Sequence, residues 1–337
     1  MTAVTSHDAK TIHRLLVWNP AERGFTKRQD NPIDADWLIV DDVSMVDLLL
    51  AHALWRATAA STRVVWIGDE HQLPSVGPGS ILKDVISSGR FPVFRLTRNF
   101  RSTSGITVAA HALLAGRVPR SNQDVTIVRY DKGEMGVQQE ILEQIQQLHE
   151  QETPWEDIQV LCPIRRGSLG TDALNPLLRN LMNPERSRQT TFTAKGGLVF
   201  REGDRVMQTK NAYAKNVFNG DMGVVVAIRP DLSSEEDDNR LWVQFPDQAV
   251  GFSPEDAQHL RLAYATTVHK SQGSEYPVVV FPLFYDAYVM LHRNLVYTAL
   301  TRAKERLWVF TEASAVWLAL ERGDGADRQT GLVEGLT

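Results

Sequence analysis

Apolar and polar positions follow two textures along this chain. Leu38-Ile39-Val40 runs without alternation into Asp41 and Asp42, and Val64-Val65-Trp66-Ile67 runs into Gly68-Asp69. Unbroken apolar runs of this length predict strands of a parallel sheet covered on both faces. Between them "MVDLLLAHALWRAT" predicts a helix. Strand–helix–strand with acids at the strand ends predicts an open α/β sheet with its ligand at the carboxyl edge. "KTIHRLL" predicts a short helix capped by Thr11, and "GITVAAHALLAG" another. In "VQQEILEQIQQLHEQ", Val137, Ile141, Ile145 and Leu148 recur at helical spacing, as expected of an amphipathic helix against a sheet. "DIQVLCPI" then starts a new strand, so a second α/β unit is expected to begin near residue 121.

From Arg201 to Leu262 the texture changes. "DRVMQTKN", "NGDMGVVVAIRP", "LWVQFP" and "AVGFS" read as short strands with Asn-Gly turns and an acidic loop, "DLSSEEDDN". A small all-β module inserted in the α/β frame is expected there. The frame resumes with "AYATTVHKSQGSEYPVVVFPL" and closes with "LVYTALTRAKERLWVF". "WNPAERGFTKRQDNPI", Trp18 to Ile33, is polar and bracketed by Asn-Pro pairs, which predicts a surface hairpin. The tail after Arg322 is polar and Gly-rich, and is expected to be flexible.

Composition narrows the function classes. With 43 % hydrophobic and 23 % charged residues the chain is ordinary globular material, and its net charge of −5 argues against bulk-charge binding of polyanions while leaving room for a local basic groove. The single Cys162 follows "IQVL" and reads as a buried thiol in a reducing compartment. No window approaches the roughly 20 apolar residues of a membrane span, and the first residues lack a signal core. A cytoplasmic protein without membrane contact is the expectation.

Five stretches carry chemistry. Asp41 can hold Mg²⁺ and Asp42 can orient a water against a γ-phosphate, although an Asp or Ser here also suits the cap of the following helix. "GDEHQLPSVGPGS" places Gln72 where a γ-phosphate can be sensed; an ordinary βα loop has similar composition. "RLTRNFRS" offers Arg98 and Arg101, planar cations suited to transition-state phosphate charge or merely solvated. "TTVHKSQGSEY" gathers hydroxyls, His269, Lys270 and Gln272 before a strand, and "YTALTRAKERL" puts Arg302 one turn from Thr298.

In this order the set "VDDVSM", "GDEHQLPSVGPG", "LTRNFRS", "ATTVHKSQGSE" and "VYTALTRAKERL" resembles motifs II to VI of superfamily 1 DNA helicases, specifically the RecD-like branch that moves 5′ to 3′. The resemblance runs from "TIHRLL" to "LWVF". It implies an α/β protein of two RecA-like parallel-sheet domains, the first incomplete, with ATP at their interface and single-stranded DNA or a single-strand/duplex junction as partner. Residues 1–120 would be the partial domain 1A, with a β-hairpin pin, domain 1B, at about 18–33. Residues 121–200 and 263–322 would be domain 2A, 201–262 an SH3-like β-barrel, domain 2B, and 323–337 a flexible tail. By the resemblance Asp41 binds Mg²⁺, Asp42 takes the place of the catalytic base and Gln72 contacts the γ-phosphate. Arg101 and Arg302 act as fingers, Gly273 and Glu275 sit near the nucleotide, and Pro74, Val76, Thr267, His269 and Lys270 face the DNA.

Two departures qualify this. The family has Asp-Glu in motif II; here Asp42 is one methylene shorter, which withdraws its carboxylate by roughly 1.5 Å against a tolerance of ~0.5 Å at functional sites. And G-x-x-x-x-G-K-[ST] occurs nowhere in the 337 residues. By the resemblance that phosphate loop belongs upstream of "TIHRLL", supplied by an upstream segment or a protein partner. Without it, ATP and Mg²⁺ are expected to bind weakly, and the remaining strands to show open edges and an uncovered apolar face. Two readings follow: a helicase motor core that needs a complementing segment, or a non-catalytic, DNA-binding or scaffolding relative within a larger complex. Either reading implies a place in DNA repair and recombination.

Overall fold

A computed structural model describes residues 9–19, 23–130, 136–229, 240–323, 328 and 330–336. The chain divides into two units, Met1–Arg98 with Asp324–Thr337, and Asn99–Gly323.

In the first unit α1 (Ile12–Leu16) starts at Thr11, whose hydroxyl accepts from the Arg14 N–H, and ends at Val17 with a left-handed φ of 55°. β1 (Trp18–Asn19) and β2 (Gly24–Phe25) pair antiparallel, and the Trp18 and Phe25 rings meet edge to face at 5.2 Å. Residues 20–22 of the expected hairpin lie outside the described residues. β3 (Trp37–Val40) and β4 (Arg63–Trp66) pair parallel, as the unbroken apolar runs require. α2 (Leu48–Ala57) connects them and α3 (Ile81–Ser87) follows. Leu38 and Val40 point into a core with Ala51, Leu54, Ile81 and Leu82. The opposite face of the two strands is apolar but open: Trp37 is 56 % exposed, Ile39 54 %, Val65 38 % and Ile67 43 %.

The second unit begins at Asn99, earlier than residue 121, because α4 (Ser104–Leu114) buries Ile106, Ala109, Ala110 and Leu113 against the second unit's own helix and strand. In chain order follow β5 (Val125–Tyr130), α5 (Val137–Glu150), β6 (Ile158–Cys162) and α6 (Thr171–Met182). The small antiparallel pair β7 (Thr191–Thr193) and β8 (Val199–Arg201) leads into β9 (Arg205–Gln208), β10 (Met222–Ile228), β11 (Leu241–Gln244), β12 (Ala249–Phe252) and β13 (Leu260–Leu262). The frame then returns with β14 (Ala265–Thr267), β15 (Tyr276–Leu283), α7 (Arg293–Leu300), β16 (Ala303–Glu312) and α8 (Ala313–Glu321).

The frame strands form one parallel sheet in the order β14-β6-β15-β16-β5. β6 is buried at every position, and α5 lays Val137, Ile141, Ile145 and Leu148 on the sheet at 0–1 % exposure, the stripe its spacing predicts. Burial pushes the Cys162 thiol up, which makes it an inert core residue.

The inserted module is a five-stranded antiparallel sheet, β12-β11-β10-β9-β13. Its core also takes Phe192 and Phe200, so it starts with β7 rather than at residue 201; the alternation of "TFT" and "VFR" is too short to announce a strand pair. The acidic loop Asp231–Asn239 lies outside the described residues. Asp204, fully buried, fastens the module to α6: it accepts from Arg179 at 2.7 and 2.9 Å, from the Asn183 amide at 3.0 Å, from the Arg201 N–H at 2.9 Å and from the Tyr264 hydroxyl at 3.1 Å.

Within the tail expected to be flexible, residues 324–327, 329 and 337 lie outside the described residues, while residues 330–336 pack on the first unit. α9 (Leu332–Leu336) packs on α3, because Leu332 supplies an apolar contact to the first unit's core and Thr330 bonds Asp84.

Candidate nucleotide and nucleic-acid site

The first unit presents its acids on a tight double turn. Asp41 is exposed just past β3, and its Oδ1 accepts from the Asp42 N–H at 3.0 Å. Asp42 adopts φ 51°, ψ 42°, a left-handed conformation that Asp tolerates better than most residues. The two strand ends are stitched by Ile67 N–H to Val40 O, 2.8 Å, and Val43 N–H to Ile67 O, 3.0 Å. Gly68 sits in that seam, where an added Cβ would lie 2.8 Å from Leu82 and 3.2 Å from the Val43 nitrogen. Helix capping does not account for this pair of acids: the cap of α2 is Asp47, whose Oδ1 accepts from Leu50 N–H at 2.8 Å.

Gln72 lies in the turn after β4, where Asp69 accepts from the His71 N–H through its side chain and from the Gln72 N–H through its carbonyl. Leu73 anchors the following loop in the core, while Val76 is 87 % exposed, with Pro74 between the two extremes. Gly77 is packed so closely against Asp47 that a Cβ would lie 2.2 Å from its carboxylate.

Among the described residues no group of three or more His, Cys, Asp or Glu gathers to hold a metal. Asp41 offers one exposed carboxylate, a donor set that suits Mg²⁺ only when phosphate oxygens and water complete the coordination. The residues present therefore fit a nucleotide-borne Mg²⁺ rather than a cation held by protein alone.

In the second unit Arg101, Gly273, Glu275 and Arg302 come together at the amino ends of β15 and β16. Arg101 Nε pairs with Glu275 at 2.7 Å, and Lys304 Nζ reaches the other carboxylate oxygen at 3.0 Å. Gly273 takes φ 78° in the turn before β15. Arg302 is 2 % exposed and donates to Thr298 O at 3.2 Å and Ser274 O at 3.1 Å, while its own carbonyl accepts from Tyr276 N–H. Its guanidinium is thus turned into its own unit.

Thr267, His269 and Lys270 form a separate group after β14, on a turn closed by Lys270 N–H to Thr267 O. Burial pushes both His269 and Lys270 towards their neutral forms. Lys270 Nζ donates to the Asn219 side chain, which ties this turn to the Asn-Gly turn of the inserted module.

Three side chains at these places escaped the sequence reading: Lys304, Asn219 and the half-exposed Tyr213 of "NAYAKNVFNG". Lys304 meets Glu275 only because β15 and β16 are neighbours, which no spacing reveals. An aromatic between lysines was a signal available for Tyr213. A cavity of about 1310 Å³ in this unit, lined by Val108, Arg129, Val309 and Trp317 among others, takes Val296 and Leu300 from the last motif but none of the candidate site residues.

Three family models match: an AAA domain over residues 1–78, the ATP-dependent RecD-like DNA helicase SH3 domain over 174–245, and a UvrD-like helicase C-terminal domain over 262–310. An ATP-dependent RecD2 DNA helicase of Deinococcus radiodurans is 36 % identical over 98 % of this chain and 44 % of its own length. A RecBCD enzyme subunit RecD of Mycolicibacterium smegmatis is 28 % identical over 98 % of this chain and 59 % of its own. The chain therefore spans about half the length of the curated relatives it matches. A crystal structure of Pif1 helicase from Bacteroides in complex with ADP-AlF3 and single-stranded DNA shares the fold, at TM-score 0.53 and 18 % identity over 88 % of this chain and 78 % of that one.

Proposed function

The chain belongs to the RecD-like family of superfamily 1 DNA helicases, and on that premise we propose that it is the core of an ATP-driven motor that tracks along single-stranded DNA. The observation that carries this reading is the gathering of Arg101, Glu275, Lys304 and Arg302 at one sheet edge, where cations meet a single acid. In the proposed motor Asp41 holds the Mg²⁺ of ATP, Asp42 orients water, Gln72 senses the γ-phosphate and Gly273 lets the backbone approach the nucleotide. Arg101 and Arg302 stabilise phosphate charge, Arg302 after leaving its carbonyl partners. Bound Mg²⁺ would supply charge neutralisation at the transferring phosphoryl group.

Pro74, Val76, Thr267, His269 and Lys270 are the proposed DNA contacts. His269 is neutral near pH 7 on this account, so it acts as a hydrogen-bonding or stacking group rather than a phosphate cation. Lys270, whose amine is bonded to Asn219, supplies the charge.

The open apolar face of Trp37, Ile39, Val65 and Ile67 supports a further part of the proposal. Parallel strands are normally covered on both faces. We assign this face to the remainder of a RecA-like sheet, the segment or partner that carries the phosphate-binding loop. ATP turnover then requires that segment to be present.

A second reading, a DNA-binding scaffold without catalysis, is favoured by the short side chain of Asp42. The deciding experiment is nucleotide hydrolysis by the chain joined to the upstream half of a RecD-like helicase. Turnover that depends on Asp41 supports the motor; DNA binding with no turnover, in a protein that folds, supports the scaffold.

A further inference from the structure

The loop after Gln72 is held from two sides. On one side Leu48 N–H donates to Pro78 O at 2.8 Å, and Gly77 and Gly79 pack against Asp47 and Leu48 at the start of α2. Gly79 adopts φ 100°, so its part of the turn is closed to ordinary side chains. On the other side stands a residue some 250 positions away in sequence. Arg328 Nη1 donates to Gly77 O at 2.6 Å and to Gly79 O at 2.8 Å, with a longer 3.4 Å contact to the Ser75 hydroxyl. Its Nη2 donates to Ser75 O at 2.8 Å.

One planar fork therefore satisfies three carbonyls of the loop, those of Ser75, Gly77 and Gly79. The chain around it is fixed as well: Thr330 donates to the buried Asp84 at 2.6 Å, caps Leu332 N–H at 3.3 Å, and Leu332 rests on the core. A lysine presents a point charge with no fork, and cannot span carbonyls spread over five residues. Between the two fastenings Val76 is left facing solvent, an apolar side chain on an immobilised turn.

We propose that Arg328 is a positioning residue that sets the shape of the Ser75–Gly79 loop, and thereby the presentation of Val76 to single-stranded DNA. The second half rests on the DNA-motor reading above; the first does not. Because Arg328 and residues 330–336 belong to the first unit although they follow the second unit in sequence, this positioning is delivered from a segment remote in sequence from the loop.

The test compares the full chain with Arg328→Ala, Arg328→Lys and Leu332→Ala, by hydrogen exchange of the Ser75, Val76, Gly77 and Gly79 amides and by anisotropy with a thymidine oligonucleotide. Arg328→Ala is expected to speed exchange in the loop about tenfold or more while α2 stays protected, and to weaken oligonucleotide binding about fivefold. Arg328→Lys, which keeps the charge, is expected to leave the loop as open as the alanine variant does. Leu332→Ala, which loosens the seat of the segment that carries the fork, is expected to speed loop exchange in the same direction but by less than Arg328→Ala does. Loop exchange in Arg328→Ala within about twofold of the parent, or full rescue by lysine, would overturn the proposal. The exchange readout needs no DNA, so a parent chain that binds no oligonucleotide sinks the DNA reading and still leaves the loop to be judged.

Discussion

Glu275 holds two cations at once: Arg101 Nε lies 2.7 Å from one carboxylate oxygen and Lys304 Nζ 3.0 Å from the other. Both cations would otherwise face each other across a short gap. The acid keeps them together, and it stands beside the left-handed Gly273 turn and the buried Arg302.

Glu275→Gln removes the bridging charge and leaves two neighbouring cations. Half the pair is solvent-exposed, so the cost to folding is expected to stay below about 1 kcal/mol, seen as a melting temperature within about 3 °C of the parent at moderate salt. The deficit is expected to shrink as salt rises, which thermal melting at two ionic strengths would read.

Asp204 is a different kind of acid. It is fully buried with four partner residues, and Asp204→Ala removes the counter-charge of the partly buried Arg179 and the nearer of two carboxylates beside the buried Arg201. Urea unfolding is expected to show a loss of about 3–5 kcal/mol. A loss near zero would mean that the module and α6 are not fastened through this carboxylate.

His269 makes stability depend on pH with a definite sign. Burial lowers its folded pKa below the ordinary 6.5, so the unfolded chain binds the proton more readily. The neutral form is therefore fully compatible with folding above pH 6.5, and stability falls as pH drops through 6.5 towards the folded value. His292, lowered by burial and by the nearby Arg322, contributes in the same direction. His269→Gln is expected to flatten part of the acid limb in melts between pH 5 and 7.5, leaving the remainder to His292.

Much of this layout was legible in the sequence, for identifiable reasons. Residues Leu38–Asp42 and Val64–Asp69 gave their parallel pairing away through unbroken apolar runs, although one face of the pair is open in this structure. Val137, Ile141, Ile145 and Leu148 betrayed their helix by period alone. Arg101, Gly273, Glu275 and Arg302, which only the resemblance to a family places near a nucleotide, lie together at the amino ends of β15 and β16. What stayed hidden depends on tertiary neighbours. Lys304 joins Glu275 only through strand adjacency, and Arg328 reaches Gly77 across the whole chain. The boundary at Asn99 was missed because α4 follows an exposed linker and gives no sign of which sheet it covers. The helix at Leu332 was missed because "GADRQTGLVEGLT" is dominated by glycine and polar residues, and one leucine contact decides its place.

The open face of Trp37, Ile39, Val65 and Ile67 makes a separate prediction. Ile39→Glu is expected to cost the chain itself less than about 0.5 kcal/mol, because the side chain is already half in water. The same change is expected to block association with a segment that completes the sheet, since a carboxylate would be buried there unpaired. Co-purification of the two pieces, with and without the substitution, reads this out.

The measurement that bears most directly on the motor reading is Mg-ATP binding and DNA-stimulated hydrolysis, compared between this chain and the chain extended by a segment carrying G-x-x-x-x-G-K-[ST]. The account predicts weak or no nucleotide binding by the chain alone, and turnover in the extended protein that is lost in Asp41→Ala and Arg302→Ala. An extended, folded protein with Asp42 intact that binds no ATP would contradict it, as would tight Mg-ATP binding by this chain unaided.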